Sequence, residues 1–294
     1  MLVFRIHGGL GNQLFQYAAG RALSLRYGCD YQLDMTHAGS TRRIGLDAFK
    51  ITAPEADART IGRLKRKKTQ WMRIMKILTG RDIRGDDPHF ILDRTPDELA
   101  ALDIDPVRND YYFEGYYQSW RNFRDCEETV RAELTPRVPL DGNNATLAAK
   151  AAACDSISLH VRRGDYFTPK FIKKFGVPLT GYYRRAMRWM AERVENPRFY
   201  VFSDDHAWVR DNLTFDWPAV FVEENNDTKT YCDILLMSAC RHHIIANSSF
   251  SWWGAWLDPN PDKQVVVPDQ WFLPPEEAPP DLIPPQWTPI AVND

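Results

Sequence analysis

Leu2–Tyr27 reads LVFRIHGGLGNQLFQYAAGRALSLRY. Leu2 to Ile6 is β-prone, Gly8-Gly9-Leu10-Gly11 forms a loop, and apolar residues recur at helical spacing from Asn12 to Tyr27, with Asn12 as the expected N-cap. Strand, glycine loop and helix in this order open a βαβ unit, and such units build sheets that are mostly parallel.

The same unit recurs in kind further along. Ile157–Val161, Phe199–Phe202, Ala219–Val222, His243–Ala246 and Gln264–Val267 read as short strands, separated by helical stretches such as Tyr182–Glu195 and Thr230–Cys240. The alternation predicts an α/β protein. A chain of 294 residues is long enough for two domains. LTPRVPLDGNN, Leu134 to Asn144, carries the Pro, Gly and Asn content of a linker, so the expected domains are 1–140 and 141–294. Eight prolines between Pro268 and Pro289 forbid regular helix and central strand, which predicts an extended strap across the surface.

Composition narrows the function. A formal charge of -2 excludes a globally basic nucleic-acid footprint, so no nucleic acid is expected as a partner. The five cysteines form no C-x-x-C pair, which argues against a zinc knuckle or a disulfide framework and for reduced thiols in a cytosol. MLVFRIHGG has no apolar signal-peptide region and no run of 18 apolar residues occurs, so a soluble, cytoplasmic protein is expected, at most peripheral to a membrane. Arg59 to Arg84 carries ten basic residues threaded by Trp71, Met72, Ile74, Met75, Ile77 and Leu78. It reads either as a helical hairpin with one solvated basic face or as a contact with a membrane surface or an anionic, lipid-linked acceptor.

In open parallel sheets, ligands bind where loops leave the carboxyl ends of strands. Four segments qualify here. In GGLGNQ, Gly9 and Gly11 let the backbone approach a ligand, and Asn12 carries both donor and acceptor. It is no Walker loop, and Leu14 breaks the dinucleotide fingerprint. In HVRRGDY, the adjacent Arg162 and Arg163 follow a strand and call for anions; Asp165 satisfies one guanidinium and a pyrophosphate the other. In FSDDHAW, Ser203, Asp204 and Asp205 stand at a helix start, where an aspartate either caps the helix or reads the N1–H and amino donors of guanine. In ANSSFSWWGAWL, Asn247, Ser248 and Ser249 with the following N–H groups make an anion-binding turn, and Phe250 is placed to pack on base or sugar. Trp252, Trp253 and Trp256 are spaced as a helix packing face and are assigned to the core.

With these segments in hand, the chain resembles the bacterial alpha-1,2-fucosyltransferases from end to end, through GGLGNQLFQYAAGRAL, FEGYYQSW, HVRRGDY, FSDD and YCDILLMSACRHHIIANSSFSWWGAWL. HVRRGD is also similar to the H-x-R-R motif of alpha-1,6-fucosyltransferases, and GGLGNQ to the loop of protein O-fucosyltransferases. The resemblance implies a GT-B architecture: two Rossmann-type domains with a cleft between them, GDP-fucose held by the second and a glycan acceptor largely by the first. It matches Arg162 to the arginine on the β-phosphate, His160 to the residue next to the guanosine, and Asp204 or Asp205 to the guanine-reading acid. Ser248, Ser249 and Phe250 match the segment enclosing the diphosphate, and Asn12 an asparagine at the junction of donor and acceptor. His7 departs from the pattern, standing where an apolar strand residue is expected.

The implied reaction moves L-fucose from GDP-β-L-fucose to the 2-hydroxyl of a terminal galactose with inversion, without cofactor or metal. The D-x-D string Asp103-Ile104-Asp105 precedes Pro106 and follows no apolar strand, so it reads as a surface turn. Asp165, Glu114 and His7 remain the candidates for general base. The competing readings are a fucosyltransferase of alpha-1,6 or alpha-1,3 linkage and a nucleotide-sugar or glycan-binding module without turnover. A kinase or nucleotide hydrolase is disfavoured by the lack of a G-x-x-x-x-G-K-[ST] string.

Overall fold

The structure is a computed structural model that describes residues 1–36, 44–65, 78, 88–225, 229–279 and 281–293. Most of the basic stretch, from Arg66 to Arg84, lies outside the described residues apart from Leu78. The chain divides into two compact units, Met1–Arg137 with Pro279–Leu282, and Val138–Ala278 with Ile283–Asp294.

The first unit has four parallel strands, β1 (Leu2–Arg5), β2 (Tyr31–Asp34), β3 (Phe90–Leu92) and β4 (Tyr111–Glu114), in the order β2-β1-β4-β3. The central pair β1 and β4 is buried, and Phe4 stacks on Phe113 with ring centroids 4.4 Å apart. Helix Leu10–Tyr27 follows the glycine loop, and its N-cap is Gly9 rather than Asn12. Gly9 leaves the loop in extended conformation three residues earlier than the sequence pattern suggests, which moves Asn12 into the first turn, where its side chain reaches sideways to Gln118 instead of capping. Two buried carboxylates of this unit are each met by several donors. Glu133 accepts from the Tyr17 hydroxyl, Arg21 and Thr52, and Asp34 from Thr36, Tyr112 and Lys65.

The second unit has six parallel strands, β5 (Ser156–Val161), β6 (Arg198–Ser203), β7 (Ala219–Phe221), β8 (His242–Ile244), β9 (Val265–Pro268) and β10 (Thr288–Ile290). Their spatial order is β10-β9-β8-β5-β6-β7. Numbered from β5 and read from the β7 edge, this is 3-2-1-4-5-6, the doubly wound dinucleotide-binding order. All six residues of β5 are buried, as a parallel strand covered on both faces requires.

Trp252 and Trp253, on helix Ser249–Leu257, are completely buried, and Trp252 packs on Trp256 and on Trp287 from the chain's end. The tryptophans are core, as their spacing predicts. The proline-rich segment is more than a surface strap, because Trp271, Leu282 and Trp287 are buried and β10 extends the sheet. Pro289 is tolerated there because, among the described residues, β10 pairs only with β9, and an edge strand can lack a ladder donor.

Gly254 lets two helices approach closely: a Cβ there would lie 2.8 Å from the Cβ of Met237 on helix Thr230–Ser238. Gly254→Val is expected to overpack this contact and destabilise the protein by about 1–3 kcal/mol, read as a lower denaturant midpoint for the second unit.

Candidate active site

In the 3-2-1-4-5-6 order, the chain leaves β5 toward one side of the sheet and β8 toward the other, opening a crevice at the carboxyl ends of this adjacent pair. Two of the predicted segments stand there: His160 and Arg162 at the end of β5, Asn247 and Ser248 just beyond β8.

Arg162 is the electrostatic centre of the second unit's site. Its NH2 group donates to Asp165, and its NH1 group lies 2.8 Å from Oδ2 of Asp204. Burial works against the guanidinium's charge, but the carboxylates of Asp204 and Asp165 outweigh it and raise its pKa. The Tyr166 ring lies 5.2 Å from the guanidinium carbon. Five N–H donors with two nitrogens engaged by carboxylates leave a fork that is held in place and still has capacity to donate.

Arg163 is solved differently. Its guanidinium lies between the rings of Phe167 at 3.9 Å and Trp208 at 4.0 Å, while its Nε is buried without a hydrogen-bond partner among the described residues. Its backbone N–H donates to Oδ1 of Asp204. Gly164, at φ +22°, comes so close to Asp204 that a Cβ would fall 2.3 Å from Oδ2.

The three polar residues at the end of β6 and just beyond it are therefore engaged inside the unit. Ser203 donates to the Val161 carbonyl and accepts from the Asp205 N–H, Asp204 holds Arg162 and the Arg163 N–H, and Asp205 caps helix His206–Asn212 by accepting from the Trp208 N–H. His160 is 5 % exposed, its Nδ1 has no hydrogen-bond partner among the described residues, and its ring lies 5.6 Å from that of Phe250. Burial, reinforced by the charge of Arg162, pulls its pKa down to about 3, so the imidazole is neutral.

Beyond β8, Ser248 caps helix Ser249–Leu257 by accepting from the Phe250 N–H, which leaves Ser249 and Phe250 in the first turn. The first N–H groups of a helix and its dipole favour an anion. Asn247 is buried, and its amide donates to the carbonyls of Phe175 and Trp271, tying two loops to the end of β8. Tyr166 donates to the Asn247 carbonyl, joining this turn to the arginine loop.

One carboxyl missing from the sequence expectations stands out. Asp233, in the first turn of helix Thr230–Ser238, accepts from Asn225, whose amide also exchanges hydrogen bonds with Asn144. Burial raises its pKa to about 6, with the bond from Asn225 working the other way. The signal was a single acid in the apolar string YCDILLMSAC. A buried Ser158–His243–Asp258 chain, with contacts of 2.8 Å and 3.0 Å, is sealed within the sheet and serves packing.

In the first unit, Gly8 has φ +80°, its carbonyl accepts from Gln13, and Asn12 accepts from Gln118 at 2.7 Å. Gly9 and Gly11 open helix Leu10–Tyr27. Glu114 is paired with Arg5 at 2.6 Å. Asp103 and Asp105 are exposed in a turn in which Asp105 accepts from the Arg108 N–H. Among the described residues no group of three or more His, Cys, Asp or Glu side chains is arranged to hold a metal ion, and no helix is long and apolar enough to cross a membrane.

A family model described as Glycosyl transferase family 11 matches residues 93–290. The chain is 32 % identical to an alpha-1,2-colitosyltransferase of Escherichia coli over 99 % of both chains. It is 28 % identical to a galactoside alpha-(1,2)-fucosyltransferase 1 of Lagothrix lagotricha, over 90 % of this chain and 68 % of the other. Among solved structures, NodZ alpha-1,6-fucosyltransferase from Bradyrhizobium, soaked with GDP-fucose, shares the fold with a TM-score of 0.57 at 16 % identity, over 91 % of this chain and 94 % of that one.

The neutral His160 has a pH consequence. Its pKa is lower folded than unfolded, so its contribution to stability is present above about 6.5 and is lost as pH falls toward 3. Replacing His160 with Asn should flatten the stability-against-pH profile in that window by about 1.4 kcal/mol per pH unit relative to the parent, measured by denaturant titration at several pH values.

Proposed function

The chain belongs to glycosyl transferase family 11, and from that membership we propose that it moves L-fucose from GDP-β-L-fucose to the 2-hydroxyl of a terminal galactose, forming an alpha-1,2 linkage with inversion. The observation that carries the reading is Arg162, held at the end of β5 by Asp165 and Asp204, at the switch point that the Ser248-capped helix also borders.

The donor is read as the ligand of the second unit and the acceptor as that of the first. Inversion at the anomeric carbon calls for in-line attack by the acceptor hydroxyl opposite the pyrophosphate, with no covalent sugar–enzyme intermediate. The charge that develops as the C–O bond breaks sits on the departing GDP. Arg162 and the N–H groups of the helix starting at Ser249 are suited to receive it, with Ser249 and Phe250 lining the turn. Asp165 and Asp204 then act by orienting the guanidinium, and Asn247 by holding the turn.

Because Ser203, Asp204 and Asp205 are engaged internally, guanine recognition falls to Asp233, whose carboxylate can accept from N1–H and the exocyclic amine. His160, neutral and buried beside Phe250, flanks the nucleoside. A metal is not called on in this reading, since cationic and N–H donors meet the leaving group.

The likeness to a colitosyltransferase favours one second reading of the donor, GDP-colitose, which lacks the 3-hydroxyl of fucose. Incubation with lactose and either donor, with and without EDTA, decides between them. An EDTA-resistant 2'-fucosyl product supports the proposal; product from GDP-colitose alone moves the donor assignment; binding of GDP without any transfer favours the non-catalytic module. Arg162→Ala should lower kcat by roughly 10²–10³-fold in a protein that still folds by circular dichroism. Asp233→Asn should raise the donor KM by about 10-fold or more and narrow the preference for guanine over adenine nucleotides.

A further inference from the structure

β1 and β4 are adjacent parallel strands, and the loops leaving their carboxyl ends form a separate constellation in the first unit. Gln16, wholly buried on helix Leu10–Tyr27, accepts from the His7 N–H and donates to the Gly115 carbonyl, so the two strand ends are held together by one amide. The His7 ring also donates to the Gly115 carbonyl, while its Nε2 is buried without a hydrogen-bond partner among the described residues. The donating nitrogen is then Nδ1, and Nε2 carries the lone pair. Burial, with the nearby charge of Arg5, lowers the pKa of His7 to about 4 and keeps that lone pair available. A buried ring nitrogen without a partner is costly and calls for a ligand or a strain role.

The neighbouring turn is strained in a way that serves display. Asp93 accepts from the backbone N–H groups of Tyr116 and Tyr117, and Tyr117 takes φ 51°. Adjacent tyrosines consequently separate: Tyr117 is buried, while Tyr116 is 41 % exposed with its ring centroid 4.7 Å from that of His7. A non-glycine residue at positive φ is uncommon and expensive, and here it turns an aromatic face outward. Gly8 completes the cradle, since a Cβ there would meet Nδ2 of Asn12 at 2.9 Å and Cε1 of Tyr116 at 3.4 Å. Gln118 accounts for the orientation of Asn12 by donating to its Oδ1, which turns the NH2 side toward Gly8.

We propose that Tyr116, His7 and Asn12 form the subsite for the acceptor sugar, with the apolar face of a β-galactoside on the Tyr116 ring and a sugar hydroxyl donating to Nε2 of His7. The proposal rests on the transferase reading above and gives the acceptor a place. The ligand class is set by the chemistry: the axial 4-hydroxyl of galactose leaves H3, H4 and H5 on one face, which suits an aromatic platform flanked by a hydrogen-bond acceptor and an amide donor. Tyr116 is then both the cover of His7 and the platform, and swings outward to admit the sugar. Glu114 and Asp165 are already paired with Arg5 and Arg162, which sets His7 apart among the three residues considered for receiving the acceptor hydroxyl.

The test combines kinetics with ligand-observed NMR on the full chain. Tyr116→Ala and His7→Ala should each raise the acceptor KM by about 10-fold or more while the donor KM stays within about two-fold. Tyr116→Phe and His7→Gln should recover most of the loss, because each keeps the ring or the acceptor atom. Saturation-transfer signals from methyl β-D-galactopyranoside should be present with the parent protein and absent with Tyr116→Ala. An unchanged acceptor KM in both alanine variants overturns the proposal, as does a parallel rise in both KM values with a lowered thermal midpoint. If the parent transfers no sugar yet binds the galactoside through Tyr116, the subsite stands and the transferase reading falls; if it shows no galactoside signal, the subsite falls.

Discussion

A guanidinium at the end of a buried strand is stable only if its charge is met, and Arg162 is met twice, by Asp165 from its own loop and by Asp204 from the neighbouring strand. Removing either carboxylate would leave the guanidinium with a single anionic partner, and removing the guanidinium would leave two carboxylates facing each other. The clamp therefore constrains more than one side chain. Asp204 also accepts from the Arg163 N–H and approaches Gly164 too closely for any side chain there, so the loop after β5 and the loop after β6 are one interlocked object.

The consequences spread along the carboxyl edge of the second sheet. Once Asp204 is committed to Arg162, and Ser203 and Asp205 to the backbone, the region after β6 becomes a support for cationic chemistry. Asn247 does the same on the β8 side, committing both amide hydrogens to the carbonyls of Phe175 and Trp271 so that Ser248 can begin the next helix in a fixed place. A site built this way has its polar side chains locked before any ligand arrives, which is the condition for electrostatic stabilisation without reorganisation. Beneath it, the tryptophans of helix Ser249–Leu257 and the sealed Ser158–His243–Asp258 chain give the edge a rigid base.

The first unit solves a related problem with neutral groups. Gln16 links the ends of β1 and β4, Asp93 gathers the N–H groups of the turn after β4, and the strain at Tyr117 leaves Tyr116 exposed beside His7. Two kinds of surface result: one charged, the other aromatic and amide-lined.

Much of this was legible in the residues alone. Alternating strand and helix patterns suffice for an α/β fold with parallel sheets, because period and turn chemistry are local properties, and the loops after β1, β5, β6 and β8 could be named from strand ends as candidates for ligand contact. The tryptophan spacing was enough to assign Trp252, Trp253 and Trp256 to the core. Pairing is another matter, since it depends on which strands become neighbours. Nothing local to FSDD says that Asp204 will meet Arg162 across β5 and β6, that Arg163 will be stacked between Phe167 and Trp208, or that Asp233 will be desolvated beside Asn225. The helix start moved from Asn12 to Gly9 for the same reason, a distant partner, Gln118, taking the side chain that the pattern assigned to a cap. The sequence by itself determined the kinds of group present and the strand ends that carry them; only the tertiary structure decided which charges cancel, which carboxyl is desolvated, and which tyrosine faces out, because those depend on contacts between residues far apart in the chain.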